Sequence, residues 1–111
     1  LEHIGVEGRY GVEKDEFGDI KAMKEMFRIL KPGGRLLLTV PYGAEDVLPI
    51  NKLYNKNRTQ VLFKGYKVIK EEYLKYDRKH GIWLTVPEDE AASTIWEKNR
   101  WYSLGFFILQ K

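Results

Sequence analysis

The chain has 111 residues, 43% of them hydrophobic and 32% charged, which is the composition of one globular domain and argues against disorder. It has no cysteine, which excludes disulfides, thiolate catalysis and zinc–cysteine sites, and its two histidines, His3 and His80, cannot form a metal centre without carboxylate help. Lys and Arg number 19 against 16 Asp and Glu, and a formal charge of +3 does not by itself predict a nucleic-acid partner.

Residues 1–18 carry Gly5, Gly8, Gly11 and Gly18 among frequent charges and read as a loop. Their Gly-x-x-Gly spacing follows no strand, so it fails the dinucleotide fingerprint. Asp19 is expected to cap a helix whose stripe is Ile20, Met23, Phe27 and Leu30. The turn Lys31-Pro32-Gly33-Gly34 ends that helix, because Pro32 disfavours helical geometry at Lys31 and glycine permits a tight reversal.

Residues 35–41, Arg-Leu-Leu-Leu-Thr-Val-Pro, form a strand whose continuous apolar centre predicts cover on both faces. Residues 42–52 read as a loop. An amphipathic helix is expected over 55–64, stopped by Gly65. A long strand over 67–76 turns at 77–80 into a short strand over 81–86. Pro87, followed by Glu88, Asp89 and Glu90, opens a short helix within 87–96. The last strand, 102–109, is apolar enough to be central in its sheet, and Trp83, Trp96 and Trp101 read as core. No apolar run is long enough to cross a membrane and no segment reads as a signal peptide, so a cytoplasmic location is expected.

Taken together, Leu1-Glu2-His3-Ile4, the helix, Lys31-Pro32-Gly33-Gly34, a strand ending Thr39-Val40-Pro41 and the closing strands resemble the C-terminal half of a class I S-adenosylmethionine-dependent methyltransferase. Residues 28–36 are similar to the segment that enters the fifth strand of that superfamily. Gly8-Arg9-Tyr10-Gly11 and residues 18–25 resemble a smaller branch found near sugar-polymer biosynthesis enzymes. The resemblance implies an α/β chain with a partial Rossmann-like methyltransferase fold. Its small mixed sheet would end in an antiparallel strand placed between strands 35–41 and 67–76. The Gly-rich turn and acidic strand end that bind S-adenosylmethionine have no counterpart, so the cofactor is expected in an intact parent and not in this chain alone. The start at Leu1 fits that expectation of a trimmed or incomplete chain.

By the same resemblance, Leu1, Glu2 and His3 would lie beside the cofactor's reacting end. His3 would serve as a hydrogen-bonding or proton-accepting group, and it reads equally as a cap or packing residue. Arg9, Tyr10, Pro41, Tyr42 and Gly43 would line the pocket of a small-molecule or saccharide acceptor. Tyr42 has a competing reading as packing, and Arg9 and Tyr10 as solvated loop. The run Lys52, Lys56, Arg58, Lys64, Lys67, Lys70 and Lys75 reads as a solvated basic face or as a surface for an anion. Three functions compete: the acceptor-side half of a methyltransferase, inactive alone; a non-catalytic module that binds a partner through its basic face and an open sheet edge; and, ranked last because no recognised aromatic–basic motif is present, a small anion- or nucleic-acid-binding α/β domain. The edge of strand 35–41, bereft of a neighbour, is expected to drive homo-oligomer formation.

Overall fold

The computed structural model describes residues 1–7, 13–44, 46–48, 51–95 and 103–111. The elements are α1 (Gly18–Ile29), β1 (Arg35–Tyr42), β2 (Asp46–Val47), β3 (Lys52–Leu53), α2 (Lys56–Leu62), β4 (Lys67–Asp77), β5 (Ile82–Val86), α3 (Glu88–Ala92) and β6 (Ser103–Gln110). Leu30 leaves helical geometry for an extended one ahead of Lys31-Pro32, and Gly33, at φ 74°, makes the reversal into β1. The expected loop 42–52 contains a short ribbon, β2 paired antiparallel with β3. Asn55 caps α2 by accepting a hydrogen bond from Arg58 N at 3.0 Å, and Gly65, at φ 98°, turns the chain away after it.

The main sheet has the order β1-β6-β4-β5. The last strand lies between β1 and β4 and antiparallel to both, as expected. The expected fold class is otherwise corrected. Every neighbouring pair in this sheet is antiparallel, whereas a Rossmann-like sheet joins parallel neighbours through helices that cover both of its faces. Among the described residues the one parallel contact is an isolated bridge between Tyr42 and Tyr54. The result is two layers, an antiparallel sheet with short helices on one face.

Side-chain alternation shows which face is covered. Val40 and Tyr42 of β1, Tyr73 of β4, and Phe107 and Leu109 of β6 pack with Met23 of α1, Leu62 of α2 and Ala91 of α3. These strand positions are cross-strand neighbours on a single face. Leu37 points the other way and is 65% exposed. The unbroken Leu36-Leu37-Leu38 run therefore does not mark a strand buried on both sides. Leu36 and Leu38 alone meet the core. Trp83, expected in the core, is 43% exposed on β5, and Trp96 and Trp101 lie outside the described residues. No described helix is long and apolar enough to cross a membrane.

Candidate functional site

The ribbon strand β3 and Tyr54 after it join the two loops that the sequence singles out. Lys52 N donates to Glu2 O at 2.9 Å, and Tyr54 N donates to Pro41 O at 3.0 Å. In extended backbone, N–H groups two residues apart point to the same side. Glu2 and Pro41 therefore stand in line along one side of residues 52–54. Gly43 N completes the bridge by donating to Tyr54 O at 2.9 Å.

Of the expected site residues, His3 is the best placed for a ligand. It is partly exposed, and its Nε2 is 3.5 Å from Glu2 Oε1. Burial opposes ionisation of Glu2. Its backbone hydrogen bond, the amino terminus and His3 outweigh that opposition and hold the carboxyl below the ordinary range. Leu1 packs against the core, and its amino group donates to Glu2 Oε2 at 3.1 Å.

Pro41, Tyr42 and Gly43 are buried, so they do not line an open acceptor pocket. Tyr42 is a core residue. Its ring lies 4.8 Å from that of Tyr73, and its hydroxyl donates to Glu88 Oε1 at 2.7 Å. Burial first, and then Glu88, push the phenol far above its usual range, which disqualifies it as a base. Gly43 is required by packing: a Cβ there would stand 2.4 Å from Thr94 O. Arg9 and Tyr10 lie outside the described residues.

A second constellation lies directly behind β3. Asp19 is completely buried. Its Oδ2 accepts from Tyr54 Oη at 3.1 Å and from Arg58 Nη2 at 3.0 Å, while Lys52 Nζ stands 3.4 Å from Oδ1. Burial raises the Asp19 pKa, and the bonds and charges of Arg58, Lys52 and Tyr54 more than reverse this, leaving the carboxyl below its ordinary value. Asp19 does accept from a first-turn amide, Ile20 N to its Oδ1 at 3.0 Å, but it does not hold the cap position expected. Phe17 holds the cap position without a side-chain bond, and Asp19 sits one turn before Met23 on the buried stripe. Lys52 and Arg58 likewise leave the presumed solvated basic face. The sequence carried one sign of this cluster: a carboxylate on the apolar stripe of a helix needs a buried partner.

The described residues hold no group of three His, Asp or Glu side chains close enough to bind a metal ion. Among the described residues α1 starts after a turn and not after a strand, and α2 follows β3 without a glycine-rich turn.

Residues 1–99 match the family described as Caenorhabditis protein of unknown function, DUF268. The chain belongs to the DUF268 family. No curated protein and no solved structure matches it. The family description assigns no activity to this DUF268 chain, and a functional reading rests on the junction of residues 1–3, 41–43 and 52–54.

Proposed function

We propose that this chain is the acceptor-side part of an S-adenosylmethionine-dependent methyl-transfer protein, without activity of its own. The observation that supports the reading is the alignment of Glu2 and Pro41 along residues 52–54. The resemblance requires the turn that carries His3 and the end of strand β1 to share one edge, and sequence proximity alone would not bring them together. In this reading His3, steadied by Glu2, accepts a proton or a hydrogen bond from the nucleophile of a small-molecule or saccharide acceptor. The rest of the task is orientation, since aligned reactants need little further help. Tyr42, Pro41 and Gly43 form the wall behind that group and do not contact the acceptor.

The test is the reading frame upstream of the codon for Leu1, combined with titration calorimetry. The expected frame encodes a strand, a Gly-rich turn and an acidic strand end. The extended protein is expected to bind S-adenosylmethionine, while residues 1–111 show no micromolar binding. Micromolar binding by residues 1–111, or a frame without the Gly-rich turn, would overturn the reading.

One observation favours the second function, a module that binds a partner through a strand. β1 stands at the end of the sheet order, and its outward side chain Leu37 is exposed. The basic face contributes less than expected, because Lys52 and Arg58 are turned inward to Asp19.

A further inference from the structure

β4 is eleven residues long and outruns the strand beside it. Its ladder with β6 ends at Lys75, opposite Ser103, while β5 stays paired with it as far as Asp77, opposite Ile82. The helix over this end, α3, has only five residues and stops at Ala92. Tyr73 and its cross-strand neighbour Val86 pack with Ala91 of that helix. The next pair on the same face, Lys75 and Leu84, stands at the helix rim, where Lys75 Nζ meets Glu90 Oε1 at 3.2 Å. A cleft of about 420 Å³ results between the end of the hairpin, α3 and the residues that follow α3. Small-molecule sites have volumes of roughly 300–1,000 Å³.

The two sides of the cleft differ in chemistry. Leu84, Val86 and Ile95 give an apolar wall, and Leu84 and Ile95 are 44% and 70% exposed. Arg78 and Lys79, both exposed, stand at the mouth on the hairpin turn. Local chemistry fixes that turn. Asp77 Oδ1 accepts from Lys79 N at 2.9 Å, Asp77 O accepts from Gly81 N at 2.8 Å, and Gly81, at φ 69°, closes the reversal. The two acids of the cleft are already engaged: Glu90 pairs with Lys75, and Asp77 Oδ2 lies 2.6 Å from His80 Nδ1. The cations at the mouth therefore set the charge that an incoming molecule meets.

We propose that this cleft binds a small anion with an apolar body, its carboxylate or phosphate held by Arg78 and Lys79 and its body laid on Leu84, Val86 and Ile95. Arginine offers a planar fork to either head group, and lysine adds a compact charge. An exposed ion pair alone contributes little, so the apolar body is needed to exclude water beside it. The proposal does not rest on the methyl-transfer reading or on the strand-edge module. β6 and β4 separate β5 from β1, so a strand joined to β1 would lie at the opposite side of the sheet from the cleft. The cleft and the end of β1 touch through Thr94, which lines the cleft and whose carbonyl accepts from Ala44 N at 2.9 Å.

The test is a titration of the chain, followed by amide chemical shifts, with three probes of one shape: naphthoate, naphthyl phosphate and neutral naphthamide. Both anions are expected to move the amides of Leu84, Val86, Glu90 and Ile95 with dissociation constants at or below about 1 mM, and naphthamide to bind at least about tenfold more weakly. The tighter anion identifies the head group. Lys79→Glu, at an exposed position, is expected to weaken both anions about tenfold and to leave naphthamide unchanged. Arg78→Ala repeats the charge test at a second exposed position, and Leu84→Thr is expected to weaken all three probes. Far-ultraviolet spectra of these variants are expected to match that of the unaltered chain. Equal binding of naphthamide and naphthoate would overturn the anion site, as would anion binding that survives Lys79→Glu and Arg78→Ala together. Shifts confined to other residues, or none at millimolar probe, would overturn the cleft as a binding site.

Discussion

Lys52 Nζ stands 3.4 Å from Asp19 Oδ1, and neither side chain is more than 3% exposed. An ion pair withdrawn this far from water is not in itself evidence of stability, because desolvating both charges offsets most of their attraction. The asymmetry lies in breaking it. Removing one partner leaves the other charge buried and uncompensated. Asp19→Asn keeps the shape and the bond with Tyr54, yet leaves Lys52 and Arg58 without their counter-charge. It is expected to lower unfolding free energy by about 3 kcal/mol, read from the urea midpoint at neutral pH. Lys21→Ala, at an exposed pair with Asp15, is expected to change that midpoint by less than about 0.5 kcal/mol.

The same carboxylate sets an acid limit. The folded Asp19 pKa lies below its ordinary value of 3.8, after Arg58, Lys52 and Tyr54 overcome the effect of burial. A depressed folded pKa contributes stability that is fully present above the unfolded value and is lost as pH falls through the folded one. The gap in urea midpoint between the native chain and Asp19→Asn is therefore expected to be constant above about pH 5 and to narrow below pH 4. A gap that instead widens on acidification would show that Asp19 is held protonated in the fold.

How much of this was legible in the sequence differs between the sheet and the site. The turn Lys31-Pro32-Gly33-Gly34 and the last strand, expected over 102–109 and found at Ser103–Gln110, were readable because their signals are local: a proline, paired glycines, an apolar run. The exposure of Leu37 was not readable. A run of three leucines looks the same whether one face is covered or two, and the answer depends on where the helices land. The Asp19 cluster was hidden for a different reason. Arg58 lies 39 residues from its carboxylate, and in sequence it sits inside a basic run that reads as solvated. The burial of Tyr42 was a stated alternative, and the packing reading prevailed because Tyr73 and Phe107 enclose the ring.

Tyr42 and Glu88 allow the packing at the end of β1 to be tested. Tyr42→Phe removes the hydroxyl that donates to Glu88 at 2.7 Å and keeps the ring packed, tilted, against Tyr73. A hydrogen bond to a charged acceptor contributes about 1.5–3 kcal/mol, and Glu88, only partly buried, recovers some of this from water. The expected loss is about 1–2 kcal/mol in chemical denaturation. The tyrosine absorbance is a second readout. Burial holds Tyr42 and Tyr54 far above the usual phenol range and pushes Tyr73 up to about 12, so these rings are expected to ionise late in strong base, and Tyr42→Phe is expected to remove one tyrosine's share of that late absorbance change.

Gly43 provides the sharpest test of the junction. Its backbone is clamped from two sides: its own N–H donates to Tyr54 O, and Ala44 N donates to Thr94 O at 2.9 Å. A methyl group at position 43 would stand 2.4 Å from that same Thr94 oxygen, well inside contact distance, and the obstacle is backbone and not the end of a flexible side chain. Either the segment after α3 must move away from β1 or the end of β1 must leave Tyr54. Gly43→Ala is therefore expected to cost about 1–3 kcal/mol, as overpacking of a tight contact does. The direction of relief is measurable. If the segment after α3 yields, amide exchange accelerates at Ala44, whose donor bond to Thr94 is lost. If β1 yields, it accelerates at Gly43 and Tyr54, and Glu2 loses its alignment with Pro41. The bond from Thr94 Oγ1 to Ser103 Oγ at 2.8 Å ties the first of these segments to the central strand, so β1 is expected to give way. Exchange that rises at Ala44 alone, with Gly43 and Tyr54 unchanged, would refute that order of yielding.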